Sequence, residues 1–97
     1  MSRVTLTGQL VCKNENESSI VRRFLPRHLS STRAEVGCIS FEVTQTSDPL
    51  VWQVDEEFAD AVAFEAHQLR VSTSEWGIVT RGIERRYTTE GFQPNES

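Results

Sequence analysis

The sequence GCISFEVTQTSDPLVWQVDEEF, residues 37–58, contains two runs rich in β-branched and aromatic residues, separated by Thr46-Ser47-Asp48-Pro49. Apolar and polar residues alternate in each run, and a period of two interrupted by a turn cluster predicts a β-hairpin with one apolar face. Asp48-Pro49 favours the turn because proline fixes its own φ and keeps the preceding residue out of the helical region. The predicted apolar face carries Ile39, Phe41, Val43, Leu50, Trp52 and Val54. Only the helical patterns before and after the hairpin can cover this face, which predicts an α+β sandwich.

The residues before the hairpin predict one strand and one helix. Alternation from Arg3 to Cys12 is typical of a strand, in which Gly8 indicates a bulge or a place where a ligand or backbone comes close. Apolar residues then recur at helical spacing over about 15–35. Asn14 and Asn16 are both N-cap candidates for this helix.

The residues after the hairpin predict a helix, a short second helix and a last strand. Asp60 and Ser74 are placed to cap the two helices, and residues 83–88 have strand character. The order βαββαβ predicts a ferredoxin-like α+β fold with an antiparallel sheet. Residues 1–89 would form one domain. Residues 90–97 have lost any period, which predicts a flexible C-terminal tail or an arm that reaches a partner.

The face of this sheet that the helices leave uncovered is predicted to be semi-polar, so it would face water or pack against a second sheet. It would carry Thr5, Thr7, Gln9, Ser40, Glu42, Thr44, Gln53, Glu84 and Arg86. A chain of 97 residues buries only roughly 60–65% of its unfolded surface, so burial against a partner would add stability. We therefore expect a homodimer in which two sheets pack face to face as a dimeric α+β barrel.

Composition and charge argue against several classes of function. The net charge is −4 and the signs are interspersed, which disfavours a nucleic-acid partner because phosphate binding needs a basic stripe. No apolar run approaches the ~20 residues that a membrane helix needs, and the N-terminus has no signal-peptide core. The two cysteines and two histidines lack metal-site spacing. These features predict a cytoplasmic protein with no membrane partner and no metal.

Three segments carry a family resemblance: Thr32-Arg33-Ala34-Glu35-Val36-Gly37-Cys38, Val51-Trp52-Gln53-Val54-Asp55-Glu56 and Ala63-Phe64-Glu65-Ala66-His67. Their order and spacing resemble the antibiotic biosynthesis monooxygenase superfamily of dimeric α+β-barrel proteins. The resemblance covers about residues 3–89 and implies one of several activities. Relatives include cofactor-free monooxygenases of anthrones and quinols, haem-degrading enzymes, and an isomerase of a small phosphorylated signal molecule. The haem-degrading pattern departs from this chain, because its tryptophan would fall near His67 and its axial histidine near Gly77.

Cofactor-free oxygenation requires a dry pocket, a base and a donor or cation that holds the developing oxyanion. His67 shares a helical stripe with Phe64 and Val71 and is the candidate acid/base, the alternative being a packed histidine satisfied by a carbonyl or carboxylate. Arg85 and Arg86 lie on opposite faces of the last strand, and one of them should hold the charge. The sequence does not decide which; Arg86 is the candidate chosen here.

Aromatic residues supply the candidate substrate-binding surface. Trp76 and Trp52 are predicted pocket walls, although each is also a natural core residue. Tyr87 and Phe64 are further substrate-binding candidates, and His28 is a weaker one. The sequence therefore predicts a cofactor-independent monooxygenase that oxidises a small quinol- or anthrone-like aromatic with O2. The alternatives are an isomerase on the same scaffold and a non-enzymatic dimeric module for small-ligand binding or stress response.

Overall fold

A computed structural model describes residues 2–91 and confirms the βαββαβ order, together with the predicted short second helix after α2. The elements are β1 (Val4–Val11), α1 (Glu15–Arg33), β2 (Cys38–Gln45), β3 (Val51–Phe58), α2 (Ala61–Thr73), α3 (Glu75–Val79) and β4 (Glu84–Glu90). The four strands form one antiparallel sheet in the order β2-β3-β1-β4, which is the ferredoxin-like arrangement. The helices cover one face of this sheet.

Each helix begins at a side chain that caps its free backbone N–H groups. The Asn14 carboxamide accepts from the Glu17 backbone N–H at 3.0 Å, so the structure selects this asparagine as the cap of α1. The Asp60 carboxylate caps α2 and the Ser74 hydroxyl caps α3, as the sequence predicts. Short polar side chains at these three positions therefore fix where the helices start above the sheet.

Apolar side chains of the sheet pack against the helices in one continuous core. Its buried members are Val4, Leu6, Leu10, Cys12, Val21, Leu25, Phe41, Val43, Trp52, Val54, Phe58, Phe64, Trp76 and Ile83. Near the start of α1 the Trp52 indole N–H donates to the Ser18 hydroxyl at 3.1 Å, and that hydroxyl donates to the Pro49 carbonyl oxygen at 2.7 Å. The polar atoms of this part of the core are therefore satisfied within the protein.

One residue of the predicted apolar hairpin face lies elsewhere. Ile39 is 46% exposed, because a register shift in the β2–β3 pairing makes it the extra residue between Cys38 and Ser40. A bulge of this kind breaks the alternation, so that Cys38 rather than Ile39 packs against the core on the side of Phe41. The prediction for Ile39 was wrong, whereas Phe41 and Val43 are buried as expected.

The other face of the sheet carries the predicted semi-polar set, and its members are exposed or half-buried in the single chain. β4 continues through Glu90, the first residue of the predicted tail, and residues 92–97 lie outside the described part of the chain. Within residues 2–91, no helix is long and apolar enough to cross a membrane.

Candidate functional site

A cavity of about 390 Å³ lies between the helices and the sheet. The sheet contributes an apolar floor made by Leu6, Leu10, Phe41, Val43 and Val54. His28 and Trp76 form an aromatic wall, and Glu56, His67, Tyr87 and Arg85 supply polar groups. Gln68, Ser72 and Arg81 also line the cavity and are exposed, so they mark its opening to solvent. An apolar cavity with a few converging polar groups is the usual form of a small-molecule site.

His67 enters this cavity from α2 and is held by a carboxylate behind it. Its Nδ1 lies 2.7 Å from Glu35 Oε1, and the Arg70 guanidinium donates to the other oxygen of Glu35. Arg70 also donates to the Thr32 hydroxyl at 3.1 Å. Because a carboxylate only accepts hydrogen bonds, Nδ1 carries the proton and Nε2 keeps its lone pair. Burial lowers the pKa of His67, and the Glu35 hydrogen bond opposes that shift. The ring can therefore act as a base at neutral pH.

Glu56 is a buried carboxyl group beside His67. It lies on β3 between Leu6 and Phe41 of the neighbouring strands, and its side chain is 8% exposed. Its Oε1 lies 3.8 Å from His67 Nε2 and has no hydrogen-bond partner among residues 2–91. Burial, assisted by the negative charge of Glu35, raises the pKa of Glu56 to about 7. Glu56 was not among the predicted site residues, although extending the period of two past Val54 would have placed it on the inner face.

His28 and Trp76 form one wall as a parallel stack. Their ring centroids are 4.5 Å apart with an interplanar angle of 4°, and Phe41 meets the His28 ring edge-on at 5.2 Å. Burial lowers the pKa of His28 to about 3, so the ring is neutral at physiological pH. His28 is thus a larger part of the site than its weak sequence signal indicates, while Trp76 lines the cavity as predicted.

The last strand places Arg85 at the cavity and Arg86 on the other face of the sheet. Arg85 donates to the Thr80 carbonyl oxygen at 2.8 Å and to the Thr80 hydroxyl at 2.8 Å, which holds its guanidinium at the edge of the cavity. Arg86 is exposed and pairs with Glu84 at 2.6 Å. The choice of Arg86 as the charge holder of this cavity is therefore corrected to Arg85. The reason is that Arg85 lies opposite Leu10 on the inner face of β1.

Tyr87 lies on the same side as Arg85 and lines the cavity, as predicted. Burial raises the pKa of its phenol to about 12, so it is a hydrogen-bond donor rather than an anion. Its position depends on Gly8 directly opposite, because a Cβ there would lie 2.8 Å from the Tyr87 ring and 2.1 Å from the Arg86 carbonyl oxygen. The predicted close approach at Gly8 is this contact with β4.

Two predicted wall residues belong to the core instead. Trp52 is buried beside Ser18, and Phe64 packs edge-on against Phe58 at a centroid distance of 5.7 Å. Neither lines the cavity that contains His67 and Trp76. Both residues face inward as the sequence predicts. Whether an inward-facing residue belongs to the core or lines the cavity depends on how the helices pack.

The backbone at Gly77 decides whether an axial haem ligand fits at this position. This glycine lines the cavity beside Trp76, and a Cβ added to it would lie 1.9 Å from the Val71 carbonyl oxygen. A histidine at this position would need the backbone to move. The residues present therefore do not fit an axial haem ligand here. Within residues 2–91, no group of three or more histidine, cysteine or acidic side chains is arranged to hold a metal ion.

Known proteins share the family and the fold of this chain. Residues 3–71 match the family model described as antibiotic biosynthesis monooxygenase. The Mycobacterium tuberculosis protein Rv0793 superposes with a TM-score of 0.72 at 19% identity, covering 99% of this chain and 98% of that one. A Pseudomonas aeruginosa protein gives 0.73 at 19% identity, covering 94% of each chain. A proposed antibiotic biosynthesis monooxygenase from Deinococcus radiodurans gives 0.70 at 19%, covering 97% and 94%. At these identities the structures show a shared fold. No curated protein matches the sequence.

Proposed function

This chain belongs to the antibiotic biosynthesis monooxygenase family, and from this premise we propose that it oxidises a small quinol- or anthrone-like aromatic with O2. No cofactor takes part in the proposed reaction, because such a substrate can itself pass electrons to O2 once it has lost a proton. The observation that carries the proposal is a buried His67, fixed by Glu35, that faces a cavity with flat aromatic walls.

The shape and lining of the cavity support a flat aromatic substrate. Its volume of about 390 Å³ lies within the range of ~300–1,000 Å³ that is usual for small-molecule sites. The parallel rings of His28 and Trp76 offer a planar surface, and the strand side chains opposite are apolar. A planar polycyclic molecule would bury its rings here and direct its oxygen atoms to the polar groups.

His67 supports the proton-transfer step. Its Nδ1 proton is engaged by Glu35, so Nε2 is the free acceptor on the cavity side. For an anthrone, the methylene group of the substrate and O2 are converted into a carbonyl group and water. One oxygen atom enters the product and the other leaves as water. Arg85 and Tyr87 line the same cavity and can donate hydrogen bonds to the negative charge that develops on the substrate oxygen.

Oxygen consumption by chelator-treated protein with a panel of anthrones and hydroquinones tests this proposal. Wild-type protein should consume O2 with at least one substrate, and His67→Ala should lower the rate by about 10²–10⁴-fold. Glu65→Ala, on the exposed side of the same helix, is the matched control. Wild-type protein that consumes no O2 with any member of the panel would count against the monooxygenase. Full activity in His67→Ala would remove this residue from the mechanism.

The site favours a catalyst over a binding module, because titratable groups and an arginine converge on one cavity. A binding module would need no buried base with a fixed tautomer, whereas His67 has one. An isomerase on the same scaffold would also use a base, and it is separated by product analysis with and without O2. A product that forms equally well without O2 would favour the isomerase.

We also propose that the protein is a homodimer formed through the exposed face of its sheet. This face is semi-polar in the single chain, and a small domain gains stability from further burial. Apparent stability should then rise with protein concentration. A melting temperature that is independent of concentration, or a monomer in sedimentation equilibrium at micromolar concentration, would contradict the dimer.

A further inference from the structure

Two buried polar atoms in the described chain lack a hydrogen-bond partner. Within residues 2–91 they are His28 Nδ1 and Glu56 Oε1, and both side chains line the cavity. More than nine-tenths of buried polar groups in proteins are paired, so an unpaired one in a cavity indicates a place where a ligand completes the pairing. Of the two residues, Glu56 is the one that can transfer a proton at physiological pH.

Two acidic side chains lie on opposite sides of the His67 ring, Glu35 half-buried and Glu56 buried. Glu35 is engaged by both His67 and Arg70, so its oxygens hold the imidazole in place. Glu56 lies on the other side of the ring, with Oε1 3.8 Å from Nε2. That separation is too long for a direct hydrogen bond. An atom about 2.8–3.0 Å from both would lie about 2 Å off the line that joins them, which is normal hydrogen-bond geometry to each.

We propose that Glu56 is a second catalytic proton carrier of this site, which starts each cycle as a neutral carboxylic acid and protonates the peroxide, while His67 takes the first proton from the reacting carbon. The inference rests on the proposed function, since it assigns the protons of that reaction. It adds to the proposed function a carboxyl group that is protonated at the start of each cycle.

In the first half of the cycle, His67 accepts one proton and Glu56 donates one. His67 Nε2 takes a proton from the substrate methylene, and the resulting carbanion gives an electron to O2. Combination of the two radicals forms the C–O bond of a peroxide anion. Glu56 then donates its proton to the terminal oxygen, which gives the neutral hydroperoxide of the substrate and leaves Glu56 as a carboxylate.

The second half of the cycle restores both residues. The Glu56 carboxylate removes the remaining proton from the same carbon, so that the C=O bond forms as the O–O bond breaks. Hydroxide leaves and takes the proton held by His67, forming water. Both substrate hydrogens have then been replaced by one oxygen atom, the second oxygen is in water, and the two side chains are in their starting states.

The electrostatic surroundings support a protonated Glu56. The ionisable groups that face it are Glu35, His28, Cys38, His67, Tyr87 and Arg85. Burial and the Glu35 charge together raise the pKa of Glu56 to about 7. Arg85 and the exposed Arg81 are the cations that line the same cavity, and Arg85 is held at its edge by hydrogen bonds to Thr80 and Ile83. The carboxyl group is therefore poised to give and take a proton near neutral pH.

Two measurements on Glu56→Gln separate this role from that of His67. The first is anaerobic exchange of the substrate methylene protons in heavy water, which needs His67 alone. The second is O2 consumption with the same anthrone, which needs both residues. We expect Glu56→Gln to exchange at the wild-type rate and to consume O2 about 10²–10⁴-fold more slowly. His67→Ala should lose both activities. Glu57→Gln, the same substitution on the opposite face of β3, should change neither.

The pH profile gives a readout that a purely structural role would not change. In wild-type protein kcat/KM should fall above pH ~7, as Glu56 loses its proton. This fall of kcat/KM at high pH should be absent in Glu56→Gln and retained in Glu56→Asp, which keeps a carboxyl group. Wild-type O2 consumption in Glu56→Gln would overturn the assignment, as would equal loss of exchange and oxidation. A wild-type protein that fails to consume O2 would overturn the proposed function, and this inference with it.

Discussion

Trp52 and Trp76 are buried to almost the same extent, 5% and 7% exposed, but their surroundings differ. We refer to Trp52 with Ser18 and Pro49 as the closed region, and to Trp76 with His28 and Glu56 as the open region. In the closed region the indole N–H, the hydroxyl and the carbonyl oxygen form a complete chain of hydrogen bonds. In the open region two buried polar atoms have no partner within residues 2–91, and a cavity lies against them.

The comparison shows that burial alone does not distinguish a structural aromatic residue from one in a binding site. What differs is whether the polar atoms nearby are satisfied inside the protein. A satisfied set contributes to folding, whereas an unsatisfied set weakens the fold unless a ligand completes it. Substitutions in the two regions should therefore have opposite kinds of effect, on stability in the closed region and on ligand chemistry in the open one.

The largest expected effect is on stability, from Trp52→Ala in the closed region. It should lower the free energy of unfolding by about 3–5 kcal/mol, because it removes a large packed side chain and leaves a void. Trp76→Ala should cost less, since its ring already borders a cavity, and should weaken substrate binding instead. Urea unfolding of both variants measures this. Equal losses of stability would remove the distinction between the two regions.

Glu56→Gln should change the pH dependence of stability. The pKa of Glu56 rises from 4.5 to about 7 on folding, so the native state holds this proton more tightly. The free energy of unfolding of the wild-type protein should therefore fall as pH rises from about 4.5 to about 7. The fall should reach about 3 kcal/mol, at ~1.4 kcal/mol per pH unit. Glu56→Gln should match wild-type protein at about pH 4, below the unfolded pKa of 4.5, and exceed it at about pH 8. Unfolding curves that stay parallel at both pH values, as expected for Glu57→Gln, would contradict a protonated Glu56.

Glu35→Gln tests whether the partnered side of His67 controls its chemistry. A carboxamide can donate to Nδ1, so the tautomer with a free Nε2 would no longer be fixed, and the rate of O2 consumption should fall about 10²-fold. Glu42→Gln is the control, because it breaks a comparable but exposed pair with Arg33. Unchanged kinetics in Glu35→Gln would mean that packing alone orients the imidazole.

The smallest expected effect comes from Ser18→Ala in the closed region. It leaves the Trp52 N–H and the Pro49 carbonyl oxygen without their partner, and should cost about 1–3 kcal/mol of stability. Ser19→Ala, on an exposed position of the same helix, should be neutral. Thermal unfolding measures the difference. A change in substrate affinity rather than in stability would place Ser18 in the site, and the closed and open regions would then no longer be distinct.

Local sequence was sufficient to predict the elements of the fold. The hairpin follows from alternation and an Asp-Pro turn, and the helix starts follow from Asp60 and Ser74, because capping involves backbone groups only a few residues away. Alternation also placed Trp52 on the inner face, and helical spacing did the same for Phe64, as observed. Alternation failed at Ile39, because a bulge depends on how two strands pair and not on either strand alone.

The site was predicted in part, since His67, Trp76 and Tyr87 all line the cavity. Their roles stay predictions. The sequence could not decide between Arg85 and Arg86 as the charge holder. Alternation puts the two residues on opposite faces of the strand but does not say which of them faces the helices. The partner of His67 was equally hidden, because Glu35 is 32 residues away and meets it only when α2 packs near the end of α1.

The sequence by itself determined the order of elements, the caps of α2 and α3 and most of the inner set of side chains, since these depend on contacts within a few residues along the chain. Tertiary structure decided which inner side chains are core and which line the cavity. It brought Glu35 and Glu56 to opposite sides of one imidazole, and it left an oxygen of the second carboxyl group unpaired among residues 2–91. The physical reason is that burial, and the pKa shifts that follow from it, arise from neighbours that are distant in sequence.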